Sequence, residues 1–298
     1  MKGKVAKFLR ELTVGLVAVL LLSSSSLAFE VEFPQPNIVI TDYPFKFKIK
    51  MNDNDVPLTV KIYDSKGKIL FSETETFSFV EMPIGNLSYH KDKLILHITN
   101  RNGKSTKIPF YFHPDAVINA DLKERCATTK EALNIAVINT KKAYLITENQ
   151  VTSFKDKISL PLKIGVNRVS VVAFGKNGKV KTTLFTIVRL TPEMIKKAGN
   201  IKRGAVENLI KARVGEIIVL PTFTSRSMFP GFIRFKEEEA RANFAVFEYL
   251  PLDYTYCHVL IPQKRGTYTV QIWAKVANPF FETRGKDSLL ATVKITVE

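Results

Sequence analysis

The chain has 298 residues, 45% of them apolar, with 44 basic against 28 acidic side chains and a net charge of +16. That apolar fraction excludes a disordered chain, and only two cysteines exclude a disulfide-stapled scaffold, so its cores must hold by burial. The charge is uneven: residues 114–190 carry 13 basic and 6 acidic side chains, whereas 29–113 and 215–298 are nearly balanced.

Lys2, Lys4, Lys7 and Arg10 precede the apolar run Val14 to Leu22, and a serine stretch leads to Ser26-Leu27-Ala28. This order predicts a cleavable export signal over residues 1–28. The apolar run is shorter than the roughly 20 residues that span a bilayer, which makes an uncleaved anchor the weaker reading. The mature chain is therefore expected outside the cytoplasm: in a periplasm, on a cell surface or secreted.

From Phe29 onward, short strand-like runs alternate with turn residues every 8–12 positions or so, the spacing of sandwiches and barrels. Phe45-Lys46-Phe47-Lys48-Ile49-Lys50 alternates strictly, with apolar side chains on one face and lysines on the other. Leu58 to Tyr63 repeats the pattern, and Asp64-Ser65-Lys66-Gly67-Lys68 turns the chain. Leu94 to Ile98, an Asn102-Gly103 turn and Ile108 to Phe112 close the first unit. The second unit ends in the same manner, with Asn167 to Phe174, a turn at Asn177-Gly178-Lys179, and Thr182 to Val188. Two such hairpins at a domain-sized offset point to duplicated sandwich units.

The stretch Leu160 to Phe174, with Gly165-Val166-Asn167 inside it and Asn177-Gly178-Lys179 after it, resembles the C-terminal half of bacterial immunoglobulin-like domains of the glucodextranase accessory type. The likeness is strongest over 160–188. It implies a β-sandwich and says almost nothing about activity, and Gly175 and Lys176 stand where such domains carry an Asp.

Thr191-Pro192-Glu193 predicts a helix start, with a capping hydroxyl, proline at the first helical position and an acid in the first turn. Met194, Ala198, Ile201, Ala205, Leu209 and Ala212 recur at helical spacing, with basic residues largely off that stripe. The reading is a basic amphipathic connector over 191–213, with Lys196, Lys197, Lys202 and Arg203 as its basic surface. It either packs on a neighbouring domain or touches a membrane surface. In the last segment, Gly266 to Val276 alternates as Gly-x-Tyr-x-Val-x-Ile-x-Ala and resembles immunoglobulin-like and polycystic-kidney-type sandwich modules. The segment is also faintly similar to chagasin-type cysteine-protease inhibitors, although Thr222 to Gly231 stands in place of their binding loop.

The expected fold is all-β: two to three tandem immunoglobulin-like β-sandwiches with one short helical connector, after an export signal. The expected division is 29–113, 114–190, the connector 191–213, and 214–298. His90, His97, His113 and His258 are scattered singly, and no nucleophile elbow, phosphate loop, paired-cysteine or nucleic-acid motif appears. No catalytic residues and no cofactor are assigned. Asp53 and Asp55 form a weak calcium candidate beside the ordinary reading of an Asx-rich turn. Cys126 and Cys257 either pair or lie apart as buried thiols. The candidate interaction residues are Phe223, Arg226, Met228, Phe229 and Phe232, with Phe280 and Phe281 nearby. These aromatic rings either stand off the sandwich or fill its core. The function these features suggest is exported, non-catalytic binding, adhesion or scaffolding in the cell envelope, with an envelope protein or an anionic glycan as partner. A polysaccharide-binding accessory protein is the second reading, and a protease-inhibitor-like module the third.

Overall fold

The computed structural model describes residues 29–51, 53–76, 81–222, 231–249, 256–274 and 287–298. The export signal read at 1–28 lies outside them, as do Phe223, Arg226, Met228, Phe229, Phe280 and Phe281. The chain forms two compact units that divide between Asp115 and Ala116.

The first unit is a two-sheet sandwich. Strands β1 (Phe29–Phe33), β2 (Val39–Ile40), β3 (Phe45–Met51), β4 (Leu58–Tyr63), β5 (Ile69–Glu75), β6 (Glu81–Ile84), β7 (Leu94–Thr99) and β8 (Ser105–Phe112) follow in order. One sheet runs β1-β3-β6 and the other β2-β8-β7-β4-β5. The alternation read in β3 and β4 is what buries them: Phe45, Phe47, Ile49, Leu58, Val60 and Ile62 all lie in the core. Phe45 stacks on Phe110 at 5.1 Å between ring centroids and meets Phe112 edge-on at 5.8 Å.

Three hairpins share one five-residue turn. In each, the first residue's N–H donates to the fifth residue's carbonyl: Asp64 to Lys68 at 3.0 Å, Asn100 to Lys104 at 2.9 Å and Gly175 to Lys179 at 2.8 Å. A glycine at the fourth place supplies the positive φ: Gly67, Gly103 and Gly178. The Asp64 and Asn100 side chains each accept two backbone N–H groups across their turns. These bonds hold the Asp64 carboxyl below the usual carboxylate range. At Gly175 a Cβ would come within 2.6 Å of Asn177 Oδ1, so Asn177 fills that space and accepts from Lys179 itself.

In the second unit, β9 (Val117–Ala120), β10 (Arg125–Thr128), β11 (Ala132–Ile138), β12 (Thr140–Ile146), β13 (Val151–Phe154), β14 (Lys157–Pro161), β15 (Gly165–Gly175) and β16 (Val180–Arg189) build a second sandwich. Helix α1 (Pro192–Ala198) follows. Strands β17 (Glu207–Ala212), β18 (Ile218–Thr222), β19 (Phe232–Phe235), β20 (Phe244–Tyr249), β21 (Tyr256–Pro262), β22 (Gly266–Ala274) and β23 (Ser288–Val297) build a third. Sheet β14-β11-β9 closes the second core and sheet β17-β23-β22-β19 the third. Both pack on one continuous eight-stranded sheet, β13-β12-β15-β16-β10-β20-β21-β18. Its junction is β10, parallel to β16 on one side and to β20 on the other. The fold is thus all-β, tandem immunoglobulin-like sandwiches with one short α-helix among the described residues. Tyr268 Oη donates to the carbonyls of Lys264 and Arg265, the strand-corner tyrosine bond seen in immunoglobulin-like folds.

The connector differs from the reading over 191–213. Thr191 Oγ1 does accept from Met194 N at 3.3 Å and Pro192 does open the helix, but it ends at Ala198 with Gly199 as its cap. Residues 207–212 form β17, parallel to β23. The helical spacing placed Leu209 on an apolar stripe, yet Leu209 is 73% exposed, while Ile210 and Ala212 point inward. Backbone pairing with an available sheet edge outweighs weak helix propensity across two glycines. Asn208 locks the turn: its side chain accepts from Lys202 N and donates to the carbonyls of Lys202, Val206 and Thr292. Asn167 makes the equivalent bracket around Lys163 and Gly165, where Gly165 has a φ of +101°.

Helix α1 lays Met194, Ile195 and Ala198 on the outer face of the shared sheet. A fourth cluster forms there from Ala127, Val188, Leu190, Val219, Phe247, Cys257, Val259 and Ile261. Strand β21 is therefore buried on both faces from Cys257 to Ile261, which explains why that stretch is apolar apart from His258. Cys126 lies in the second core and Cys257 in the junction cluster, both as buried thiols, and burial pushes the Cys126 thiol up.

Candidate functional site

Strand β19 alternates. Ile233 and Phe235 turn into the third core, where Phe235 meets Phe244 at 5.1 Å and Phe244 meets Tyr268 edge-on at 4.9 Å. Phe232 and Arg234 turn outward. Phe232 sits opposite Trp273 and Arg234 opposite Gln271 on β22. The Arg234 guanidinium lies 4.7 Å from the Phe232 ring centre and 5.1 Å from that of Trp273, and pairs with Asp287 at 2.8 Å. Both rings are half-buried and Arg234 is exposed. The indole Nε1 is buried with no hydrogen-bond partner among the described residues. Among the described residues the result is an outward platform of two rings braced by a planar cation, with the Asp287 carboxylate at its side.

Phe232 is the one candidate of the aromatic stretch that the described residues include. Its partners Arg234, Trp273 and Asp287 escaped the sequence reading. Trp273 was accessible to it: if Val270 and Ile272 face inward, the next residue faces outward. Arg234 and Asp287 were not, because 53 positions separate them.

Beside the platform, β19 and the shared sheet flank a cleft of about 570 Å³ lined by Phe232, Arg234, Lys236, Glu238, Arg241, Glu248 and His258 among others. His258 is 8% exposed, and burial lowers its imidazole below the ordinary 6.5 despite the nearby Glu248 carboxylate. The folded protein thus holds His258 neutral where the unfolded chain takes up a proton. Stability from this group is complete above pH 6.5 and is lost as pH falls below it towards the folded value. In the first unit, burial lowers His97 in the same sense, reinforced by Lys107 and Lys61. Thermal melts at pH 7.5 and 5.5 should show the acid loss in the 116–298 transition reduced in His258→Gln. An unchanged loss would remove His258 as its source.

The other candidates are spread out. Asp53 is exposed, while Asp55 is buried and accepts from Asn100 Nδ2 at 3.1 Å, so the two carboxylates face different surroundings. The inward turn of Asp55 braces the Asn100 hairpin. Lys196 and Lys197 are exposed on α1, and Lys202 and Arg203 are exposed on the turn after it, not on one helical face. His90, His97 and His113 belong to the first unit and His258 to the second.

The chain matches no family model and no curated protein. Solved structures similar to it include the fibronectin(III)-like modules of Clostridium thermocellum CbhA, at 9% identity over 54% of this chain and 93% of that one, with a TM-score of 0.21. The Bacteroides ovatus mixed-linkage glucan utilization locus protein SGBP-B, in complex with a mixed-linkage heptasaccharide, is 12% identical over 90% of this chain and 70% of that one, with a TM-score of 0.20. The I9–I11 tandem of titin is 10% identical over 90% of this chain and 98% of that one, with a TM-score of 0.20. The strand order and cores described above define the class, a protein of tandem immunoglobulin-like β-sandwiches.

Proposed function

We propose that this is an exported, non-catalytic binding protein of the cell envelope that holds glycan on the outer face of its third sandwich. One observation carries the reading: the Phe232–Arg234–Trp273 platform. Aromatic faces stack on the apolar faces of sugar rings, and a fixed guanidinium and carboxylate supply directional polar contacts at the rim. The exposed Lys196, Lys197, Lys202 and Arg203 favour an anionic polymer, through an attraction that salt screens. The export pattern of residues 1–28 supports an extracytoplasmic location. Adhesion to an envelope protein is the second reading, favoured by the same enrichment of Trp, Phe and Arg in protein-binding hot spots.

Trp273 is the chain's single tryptophan, so its emission reports on the platform alone. Titration with soluble acidic and neutral envelope polysaccharides should shift that emission saturably. Polysaccharide that retains the protein in a pull-down while leaving the emission untouched would place binding elsewhere and sink this assignment.

A further inference from the structure

The outer face of the shared sheet carries a second feature, away from the four-stranded sheet that bears the platform. Arg125 of β10, Thr186 of β16 and Arg168 of β15 are direct cross-strand neighbours in one row. Adjacent strands lie about 4.8 Å apart, which sets the two arginine backbones roughly 10 Å apart on one face. Like charges so placed repel. Arg125 is held rigidly: its Nε and a terminal nitrogen donate to the Val246 carbonyl at 3.3 and 3.2 Å, and its guanidinium lies 4.8 Å from the Phe247 ring centre. Arg168 is exposed, and no ion pair ties it down among the described residues.

Both arginines open into one cleft of about 740 Å³, where the second sandwich meets the third. Thr186 and Gln263 add polar groups to its wall, and Glu148 is the one acid lining it among the described residues. Val166, Val214, Phe247, Ile261 and Pro262 give it an apolar side. Two arginines lining one cleft that also has an apolar side fit an oxyanion borne on a carbon skeleton better than a bare inorganic ion. We propose that this cleft is a second binding site, for an acidic sugar unit whose carboxylate or phosphate is held between Arg125 and Arg168 while its ring rests on the exposed Val166 and Val214. The site does not depend on the platform reading, since it shares no residue with it.

Isothermal titration of the mature chain tests this with four probes: trigalacturonate, its neutral methyl ester, a sugar phosphate and inorganic phosphate. Trigalacturonate or the sugar phosphate should bind, and whichever is tighter identifies the acid. The ester should not bind, and inorganic phosphate should be distinctly weaker. Arg168→Ala should weaken binding about tenfold or more, with partial recovery in Arg168→Lys. Binding should persist in Phe232→Ala, which separates this site from the platform. Equal binding of the ester, inorganic phosphate matching the organic acids, or affinity unchanged in both Arg168→Ala and Arg125→Lys would each overturn the proposal.

Discussion

Phe247→Ala is expected to lower the melting temperature of the whole 116–298 body by roughly 10 °C while leaving the first unit's transition in place. Phe247 is 4% exposed in the junction cluster, against Val188 from the second sandwich and Val219 and Val259 from the third. Truncating a buried phenylalanine costs about 3–5 kcal/mol in lost burial and cavity formation. In a body of this size each kcal/mol moves the midpoint by about 2–4 °C. The substitution also removes the ring beneath the Arg125 guanidinium. Because one sheet supplies a wall to both cores, the two sandwiches should melt together. Scanning calorimetry decides it: separate transitions for the second and third sandwiches, with only one displaced, would contradict cooperative coupling through β10.

Trp273→Ala should abolish most glycan affinity with little loss of stability. Trp273 faces out of the third sandwich, whereas its neighbour Ile272 is fully buried, so the core keeps its packing when the indole is removed. Central aromatic anchors of binding surfaces cost about 2 kcal/mol or more on truncation, some thirtyfold in affinity. Phe232→Ala should weaken binding less, and it retains the fluorescent reporter. Affinity within twofold of wild type in Trp273→Ala, with an unaltered melting temperature, would exclude the platform as the binding surface.

Much of the architecture was legible in local alternation. The β3 and β4 patterns, the hairpins at Lys68, Lys104 and Lys179, and the Thr191-Pro192 helix start each follow from neighbours within a few residues. The connector was misread because its apolar residues satisfy helical spacing and strand alternation alike over a short span. Only the available edge of β23 resolves that ambiguity. The candidate site was half visible: Phe232 by composition, Trp273 by parity, Arg234 and Asp287 not at all.

The order of side chains along the chain determined which faces are apolar, where hairpins turn, and where the charge lies. Tertiary structure decided that β10 and β20 pair, merging the second and third sandwiches on one sheet. It also decided that Arg125 and Arg168 share a row and that the Arg234 guanidinium lies against both Phe232 and Trp273. The reason is range. Backbone geometry and side-chain alternation act over a few residues, whereas pairing between strands 40 to 120 positions apart depends on which edges and faces remain to be covered once the local units have formed.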